Sequence, residues 1–256
     1  MVASYKTMSS NAKTAAQVRK ISSAVQSLEA LDVAITHCTA CTRLTNWCTQ
    51  VAVEKKRAYA DEEYWGRPVP GFGATDPRVI LLGLAPGAHG ANRTGRVFTG
   101  DRSGDFLFAS LHRVGLANQS TSDGLGDGLE LVETRILTAV RCAPPGNKPT
   151  PQEQRNCEPW AARELALVAD TARVYVAFGS FAWSALWSIL SEPWGLGRRV
   201  PFTHGARFDH PQGTLLASYH PSQQNTFTGT LTEGMLDEVL GLASTLAKSE
   251  KGPSSR

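Results

Sequence analysis

Two pairs of cysteines have a spacing that suits metal ligands. Cys38 and Cys41 form a C-x-x-C pair, and Cys142 and Cys157 follow later in the chain. Two pairs of thiolates can bind zinc or an iron–sulfur cluster, because both accept four cysteine ligands, and spacing alone does not separate these possibilities. The alternative is that the cysteines are free and pack as small apolar side chains. Cys48 belongs to neither pair, and we expect it to be inert.

A glycine-rich stretch is the second place where chemistry is expected. The segment GLAPGAHGANRTGR (83–96) contains four glycines and directly follows an apolar run. A phosphate-binding P-loop requires Lys and then Ser or Thr after its last glycine, and a dinucleotide-binding loop requires G-x-G-x-x-G; the segment has neither pattern. Its backbone is therefore expected to approach a ligand of another kind.

Short apolar runs separated by helical patterns must position these residues. We predict strands over 78–85, 135–140, 173–179 and 214–220, and helices over 15–35, 103–114, 180–190 and 231–248. A further helix should begin at Thr150, because Pro151 occupies its first position and Glu153 completes a capping box. Residues 50–76 should be irregular.

Continuous apolar strands between helices indicate an α/β fold with a mostly parallel sheet that is covered on both faces. In such sheets, ligands bind at the carboxyl ends of the strands. Three segments leave those ends: the glycine-rich stretch, GSF at 179–181 and HPSQQN at 220–225. We expect one site there and one domain over 1–256, with 1–12 and 249–256 flexible.

Composition limits the class of protein. The net charge of +3 is small for 256 residues, so it permits a polyanionic partner without requiring one. No apolar run approaches the length of a membrane span, and the N-terminus lacks the apolar core of a signal peptide. We therefore expect a cytoplasmic monomer whose cysteines serve as ligands or catalysts rather than in disulfides.

Three segments together resemble the family 5 uracil-DNA glycosylases: GLAPGAHGANRTGRVFTGDRSG (83–104), AVRCAPPGNKPTP (139–151) and SYHPSQQN (218–225). The cysteine pattern resembles the 4Fe–4S ligands of the family 4 and family 5 enzymes. The resemblance implies a four-stranded parallel sheet between helices and removal of damaged bases from DNA, the first step of base excision repair. It also implies a 4Fe–4S cluster on four ligands: Cys38, Cys41, Cys142 and Cys157.

Three residues are catalytic candidates, two of them through the resemblance. Asp101 is similar to the carboxylate that activates water in family 5. The alternative is that Asp101 caps the following helix, but Ser103 is at least as good a cap, which would leave Asp101 free. His220 would donate an imidazole N–H to the departing base. Asn92, in the glycine-rich stretch, is a further candidate for positioning the water.

A base pocket is implied by the same resemblance. Phe98 matches the aromatic residue that stacks on a flipped-out base, and Ala85, Gly87 and His89 belong to the loop beside it. Thr138 stands where family 4 enzymes carry an Asn that reads the uracil edge, and a hydroxyl reads a base less selectively than an amide. The expected substrates are therefore uracil and other deaminated bases, such as hypoxanthine and xanthine.

Contacts to the phosphates of DNA are expected at two helix starts. Gly179 and Ser180 open one helix, and Ser222 and Gln223 follow the last strand. Basic residues that could add electrostatic contacts are Arg93, Arg96, Arg102, Lys148, Arg198 and Arg199. The competing hypothesis is a cluster-containing protein that binds damaged DNA without excising the base.

Overall fold

A computed structural model describes residues 11–249. Within them, six strands form one sheet in the order β1-β3-β2-β4-β6-β5. The strands are β1 (Phe72–Gly73), β2 (Val79–Gly83), β3 (Thr134–Thr138), β4 (Val174–Phe178), β5 (Arg207–His210) and β6 (Gly213–Ser218). The four central strands are parallel, and β1 and β5 pair antiparallel at the two edges.

The four central strands confirm the predicted runs, with shorter bounds. Every residue of β2, β3 and β4 is buried, which explains why their sequences lack an alternating pattern. The expected four-stranded sheet is corrected to six strands, because two edge strands carry little sequence signal. The strand β1 has only two residues, and β5 reads RFDH, with alternate side chains exposed.

Helices cover both faces of the sheet. They are α1 (Ala15–Ala24), α2 (Leu28–Thr36), α3 (Thr42–Glu54), α4 (Ala91–Thr94), α5 (Arg102–Arg113), α6 (Pro151–Leu167), α7 (Gly179–Trp194), α8 (Gln223–Phe227) and α9 (Glu233–Lys248). Alternate residues of β2 build two separate cores. Ile80 and Leu82 belong to the core that includes α1, α2, α6 and α7, whereas Val79 and Leu81 belong to the core that includes α5 and α9.

Local capping explains where the helices begin. The predicted helix over 15–35 is two helices, because Ser27 is extended and its hydroxyl accepts the Ala30 N–H at 3.3 Å. The helix α6 has the predicted capping box, in which Thr150 accepts the Glu153 N–H at 3.2 Å. No side chain caps α3, and that helix was missing from the prediction for this reason.

The start of α5 corrects one expectation about a catalytic candidate. Asp101, not Ser103, is the N-cap: its backbone is extended and its Oδ1 accepts the Gly104 N–H at 3.1 Å. Ser103 already lies inside the helix. One carboxylate oxygen of Asp101, Oδ1, therefore caps α5, which leaves Oδ2 available for a catalytic role.

The chain ends were expected to be flexible over 1–12 and 249–256. Residues 1–10 and 250–256 lie outside the described residues. Ala12 is buried, and its carbonyl accepts the Thr39 N–H at 2.8 Å. Between residues 11 and 249, none of the helices combines the length and the apolar character needed to span a bilayer.

Candidate active site

The parallel strands end at one edge of the sheet, and the predicted catalytic side chains follow those ends. Gly83, Thr138, Phe178 and Ser218 are the last residues of β2, β3, β4 and β6. Parallel pairing sets Gly83 opposite Thr138 and Phe178 opposite Ser218. We use the name strand-end site for five residues at this edge: Asn92, Phe98, Asp101, Thr138 and His220.

A glycine holds Phe98 against the end of β2. A Cβ at Gly83 would lie 2.8 Å from the Phe98 ring, so a larger residue would displace the ring. Phe98 has a φ of +53°, a left-handed conformation that costs an aromatic residue free energy. Its ring centroid lies 5.7 Å from that of His220 and 5.8 Å from that of Phe178. The fold therefore places the ring of Phe98, a residue with a strained backbone, beside the His220 imidazole.

The other glycines of the loop make room for Asp101. A Cβ at Gly87 would lie 2.8 Å from Asp101 Oδ2, and a Cβ at Gly90 would lie closer still. Burial raises the pKa of Asp101 above its usual value. At these two glycines the backbone approaches the carboxylate of Asp101. The sequence had suggested that the glycines allow close approach to a ligand.

His220 is neutral and is held from its backbone side. It follows β6, and Asn225 Nδ2 of α8 donates to the His220 carbonyl oxygen at 2.8 Å. The residue is half-buried, but its ring lies deep enough that burial lowers its pKa to about 4. At neutral pH the ring therefore carries one N–H donor and one acceptor nitrogen.

Two oxygen atoms of the strand-end site are buried without a protein partner. Asn92 Nδ2 donates to the carbonyls of Cys48 and Ala88 at 3.3 and 3.4 Å, and these acceptors fix the orientation of the amide. Asn92 Oδ1 and Thr138 Oγ1 then have no hydrogen-bond partner within residues 11–249. Buried polar atoms are normally paired, so each oxygen is available to a bound molecule or a water.

His89 is turned toward a segment that sequence reasoning treated as irregular. The Tyr64 hydroxyl lies 3.0 Å from His89 Nδ1, and the backbone N–H of Trp65 donates to the Arg93 carbonyl at 2.8 Å. Residues 64–66 therefore form a strap that holds the glycine-rich loop. The two adjacent aromatic residues in EYWGRP (63–68) were the available signal for this role.

Two of the basic residues expected to contact phosphates are used inside the protein. Arg93 forms an ion pair with Glu62 and donates to the Gly100 carbonyl at 2.7 Å. Arg96 forms an ion pair with Asp127. Both arginines are buried. The expectation of electrostatic contacts from these two is wrong, because their guanidinium groups are already neutralised.

The two helix starts proposed for phosphates differ. The first turn of α7 has no side-chain cap, Gly179 has a φ of +88°, and Ser180 is exposed, so the N–H groups of that turn are available to an anion. Ser222 instead caps α8 by accepting the Asn225 N–H at 3.4 Å, while Gln223 is exposed.

The four cysteines predicted as ligands line one cavity, which we call the cysteine cavity. It joins the segment between α2 and α3 to the loop after β3 and to α6, and its cysteines are Cys38, Cys41, Cys142 and Cys157. Arg43 of α3 binds Glu153 of α6 through hydrogen bonds of 2.8 and 2.7 Å. This bidentate ion pair ties the helix after the first cysteine pair to the helix that carries Cys157.

The cysteine cavity is lined by four thiols and by side chains with nitrogen donors. Within the described residues, no three His, Cys, Asp or Glu side chains converge closely enough to hold one metal ion. Arg141 and Trp160 also line the cavity. Arg141 Nε and Nη1 and Trp160 Nε1 are buried without a partner in the described part of the chain.

The thiols of the cysteine cavity are poorly suited to act as nucleophiles. Burial raises the pKa of Cys38, Cys41 and Cys157, that of Cys157 to about 12. The hydrogen bond between Cys48 and Cys142, together with burial, raises the pKa of Cys142. Such thiols remain protonated unless a metal replaces the proton. Cys48 is itself fully buried and packs in the core, beside the cavity rather than in its lining.

Comparison with known proteins gives consistent matches over most of the chain. Residues 70–241 match the Uracil DNA glycosylase superfamily. A protein of Mycobacterium leprae named type-5 uracil-DNA glycosylase is 51% identical over 229 residues, which are 89% of this chain and 99% of the relative. Proteins of the same name from Mycobacterium tuberculosis and Thermus thermophilus are 52% and 51% identical. They match over 85% and 86% of this chain, and over 81% and 98% of their own lengths.

Proposed function

The chain belongs to the uracil DNA glycosylase superfamily, and we propose that it is an enzyme that hydrolyses the N-glycosidic bond of uracil in DNA. The observation that carries this proposal is the packing of the Phe98 ring against a neutral His220, with Asp101 in the same loop. An aromatic platform, an N–H donor and a carboxylate are the three groups that this reaction requires. The enzyme would act at the first step of base excision repair.

Recognition would begin with a base that has left the double helix. Enzymes that act on bases turn the target nucleotide out of the stack, at a cost of a few kcal/mol. Phe98 would stack on the extruded base, and its left-handed backbone would keep the ring in place before the base arrives. The uncapped first turn of α7, with Gly179 and Ser180, would bind a neighbouring phosphate. Gln223 and Ser222 would contact another phosphate.

Hydrolysis would use His220 on one side of the breaking bond. As the bond between the base and the sugar carbon breaks, its electron pair stays with the base, which becomes an anion. The imidazole N–H of His220 would stabilise that charge. Because its pKa is about 4, the ring would do so as a neutral donor and would not protonate the base.

A water molecule would complete the reaction from the opposite side. Its oxygen would bond to the sugar carbon, and Asp101 Oδ2 would accept its proton while Oδ1 continues to cap α5. Asn92 would position this water through Oδ1, the amide oxygen without a protein partner. The raised pKa of Asp101 brings this carboxylate closer to the pKa of an effective general base.

The base pocket would be tolerant, so the enzyme would also remove hypoxanthine and xanthine. To read the base edge, the pocket would have only the single hydroxyl of Thr138, and the small residues Ala85 and Gly87 of the glycine-rich loop would leave room for a larger base. Replacing Ala85 with Asn should narrow the substrate range by filling space that a purine needs. We expect excision of hypoxanthine to fall at least about tenfold more than excision of uracil. Equal loss on both bases would contradict the steric explanation.

A 4Fe–4S cluster would be held by Cys38, Cys41, Cys142 and Cys157. The support for this proposal is the cavity that the four cysteines share and the buried N–H groups of Arg141 and Trp160 that line it. When bound, the cluster would supply a cross-link between distant segments and would take no part in the hydrolysis. Its attachment to the start of α3 would also steady Cys48, whose carbonyl orients Asn92.

The test is an excision assay on labelled duplexes that contain uracil, hypoxanthine or only normal bases. After incubation, each duplex is treated with alkali, which breaks the strand wherever a base is missing. Breaks that need alkali, on uracil and on hypoxanthine, are expected. If duplexes stay intact while the protein still binds them, the chain is a sensor of damage and the enzymatic proposal fails. Breaks on uracil alone would remove only the broader substrate range.

A further inference from the structure

The cysteine cavity contains buried nitrogen donors without a partner of normal hydrogen-bond geometry, and the Trp160 side chain faces the Cys38 sulfur. Arg141 Nε, Arg141 Nη1 and Trp160 Nε1 are buried, and none has a partner among the residues that the structure describes. Leaving such a donor unpaired costs about 1–3 kcal/mol, so three together on one cavity wall need an explanation. Both residues lie beside the four cysteines.

Arg141 is held in this position by a buried ionic network. Its Nη2 donates to Glu164 Oε2 at 2.5 Å, and Arg135 Nε donates to Glu164 Oε1 at 2.6 Å. Asp32 accepts from Arg135 Nη2 at 3.1 Å. Burial acts to raise the pKa of Glu164, but the charges of Arg141 and Arg135 hold it below its usual value, so Glu164 remains an anion.

The network leaves Arg141 and Arg135 unequal. Arg135 is paired with two carboxylates, because its Nε donates to Glu164 and its Nη2 donates to Asp32. Arg141 donates to Glu164 through only one nitrogen, Nη2. The backbone N–H of Arg141 also donates to Cys157 Sγ at 3.3 Å, which places the residue directly against a cluster ligand.

We propose that Arg141 sets the reduction potential of the cluster, with Trp160 acting in the same direction. This inference rests on the proposed cluster. A cluster bound by four thiolates is a buried anion, and an added electron makes it more negative. Positive charge and N–H donors at its sulfurs stabilise the reduced form more than the oxidised form, and thereby raise the potential. Arg141 is a positioning and tuning residue in this scheme and has no contact with DNA.

The test compares variants of Arg141 and Arg135 in the full-length, iron-loaded protein. Arg141→Gln removes the charge and the free donors, whereas Arg135→Gln breaks the same network without touching the cavity. We expect the equilibrium constant for one-electron reduction to fall at least about tenfold in the Arg141 variant, a shift of about 59 mV to lower potential. In the Arg135 variant it should change less than about twofold. In the Trp160→Phe variant, the equilibrium constant for reduction should fall by about threefold, since the substitution removes one uncharged donor.

Reduction potentials from protein-film voltammetry, with iron and sulfide content as a second readout, decide the matter. A potential that is unchanged in the Arg141 variant, or shifted equally in both arginine variants, overturns the inference and leaves the cluster intact. Loss of iron from the Arg141 variant also overturns it, because the residue would then hold the cluster in place rather than set its potential. If the unsubstituted protein contains zinc or no metal, the cluster proposal itself fails.

Discussion

The cysteine cavity and the strand-end site leave opposite kinds of hydrogen-bonding atoms without partners. The cavity has unpaired N–H donors, on Arg141 and Trp160, whereas the strand-end site has unpaired oxygens, on Asn92 and Thr138. A further unpaired donor, Trp47 Nε1, lies on α3. Donors suit a resident anion, and oxygen acceptors suit a water or the N–H edge of a base. The two regions are therefore built for different occupants.

The two regions also differ in the interactions that stabilise or destabilise them. The cysteine cavity is held by bidentate ion pairs, such as Arg43 with Glu153, which join α3 to α6. The strand-end site has unfavourable terms in its backbone and its ionisable groups: a left-handed Phe98, a buried Asp101 and a histidine that burial keeps neutral. Strain and unfavourable burial collect where binding and chemistry occur. The cavity should accordingly govern stability, and the strand-end site should govern rate.

The largest effect is expected from Asp101→Asn. Loss of the general base should lower kcat by about 10²–10⁴-fold on a uracil duplex. Asparagine caps a helix as well as aspartate does, and it removes a charge whose burial is unfavourable, so the melting temperature at neutral pH should not fall. Single-turnover kinetics and thermal unfolding measure the two quantities. Ser103→Ala is the control and should keep both quantities, and a lower melting temperature in that variant would contradict the assignment of the cap to Asp101.

The next effect is expected from His220→Ala, which removes the donor to the departing base. We expect kcat to fall by about 10²–10³-fold, with iron content unchanged. His210→Ala, on the distant edge strand β5, is the matched control and should retain full activity. If the His220 variant lost iron as well as activity, the two regions would not be independent.

Substitution of a cysteine in the cysteine cavity should change iron content and stability. Cys142→Ser should lose iron and about 3 kcal/mol of unfolding free energy. Cys48→Ser alters a sulfur that is equally buried and adjacent, but that we do not propose as a ligand, and it should keep its iron. Iron analysis and denaturant unfolding distinguish the two variants. Iron loss from the Cys48 variant would make that cysteine part of the metal site.

The smallest effect concerns stability as a function of pH. The unfolded chain protonates His220 near pH 6.5 and the folded chain only near pH 4, so folding disfavours the proton. Stability from this residue is complete above pH 6.5 and is lost as the pH falls to about 4, by roughly 2 kcal/mol after allowance for its partial exposure. Unfolding of His220→Ala should therefore depend less on pH in that window. A parallel dependence in both proteins would show that the imidazole is not desolvated.

Much of the fold was predictable because burial leaves a direct trace in sequence. The central strands are buried on both faces and read as continuous apolar runs, and the capping box at Thr150 marks α6. Elements without such a trace were missed. The edge strand β5 alternates exposed charged residues, α3 has no cap, and the break at Ser27 depends on one side-chain hydrogen bond. The cap of α5 was assigned to the wrong residue, because Asp101 and Ser103 are equally good caps on composition alone.

The sequence by itself determined which chemical groups this protein has and the order in which they occur. Its cysteine pairs, its glycine-rich loop and its His-Pro-Ser segment follow from residue types and from their places at strand ends. Tertiary structure alone decided what surrounds each group. The neutral charge of His220, the fixed amide of Asn92 and the free donors of Arg141 all depend on atoms from distant segments. Burial and hydrogen bonding act through space, and local sequence does not encode which distant segments will meet.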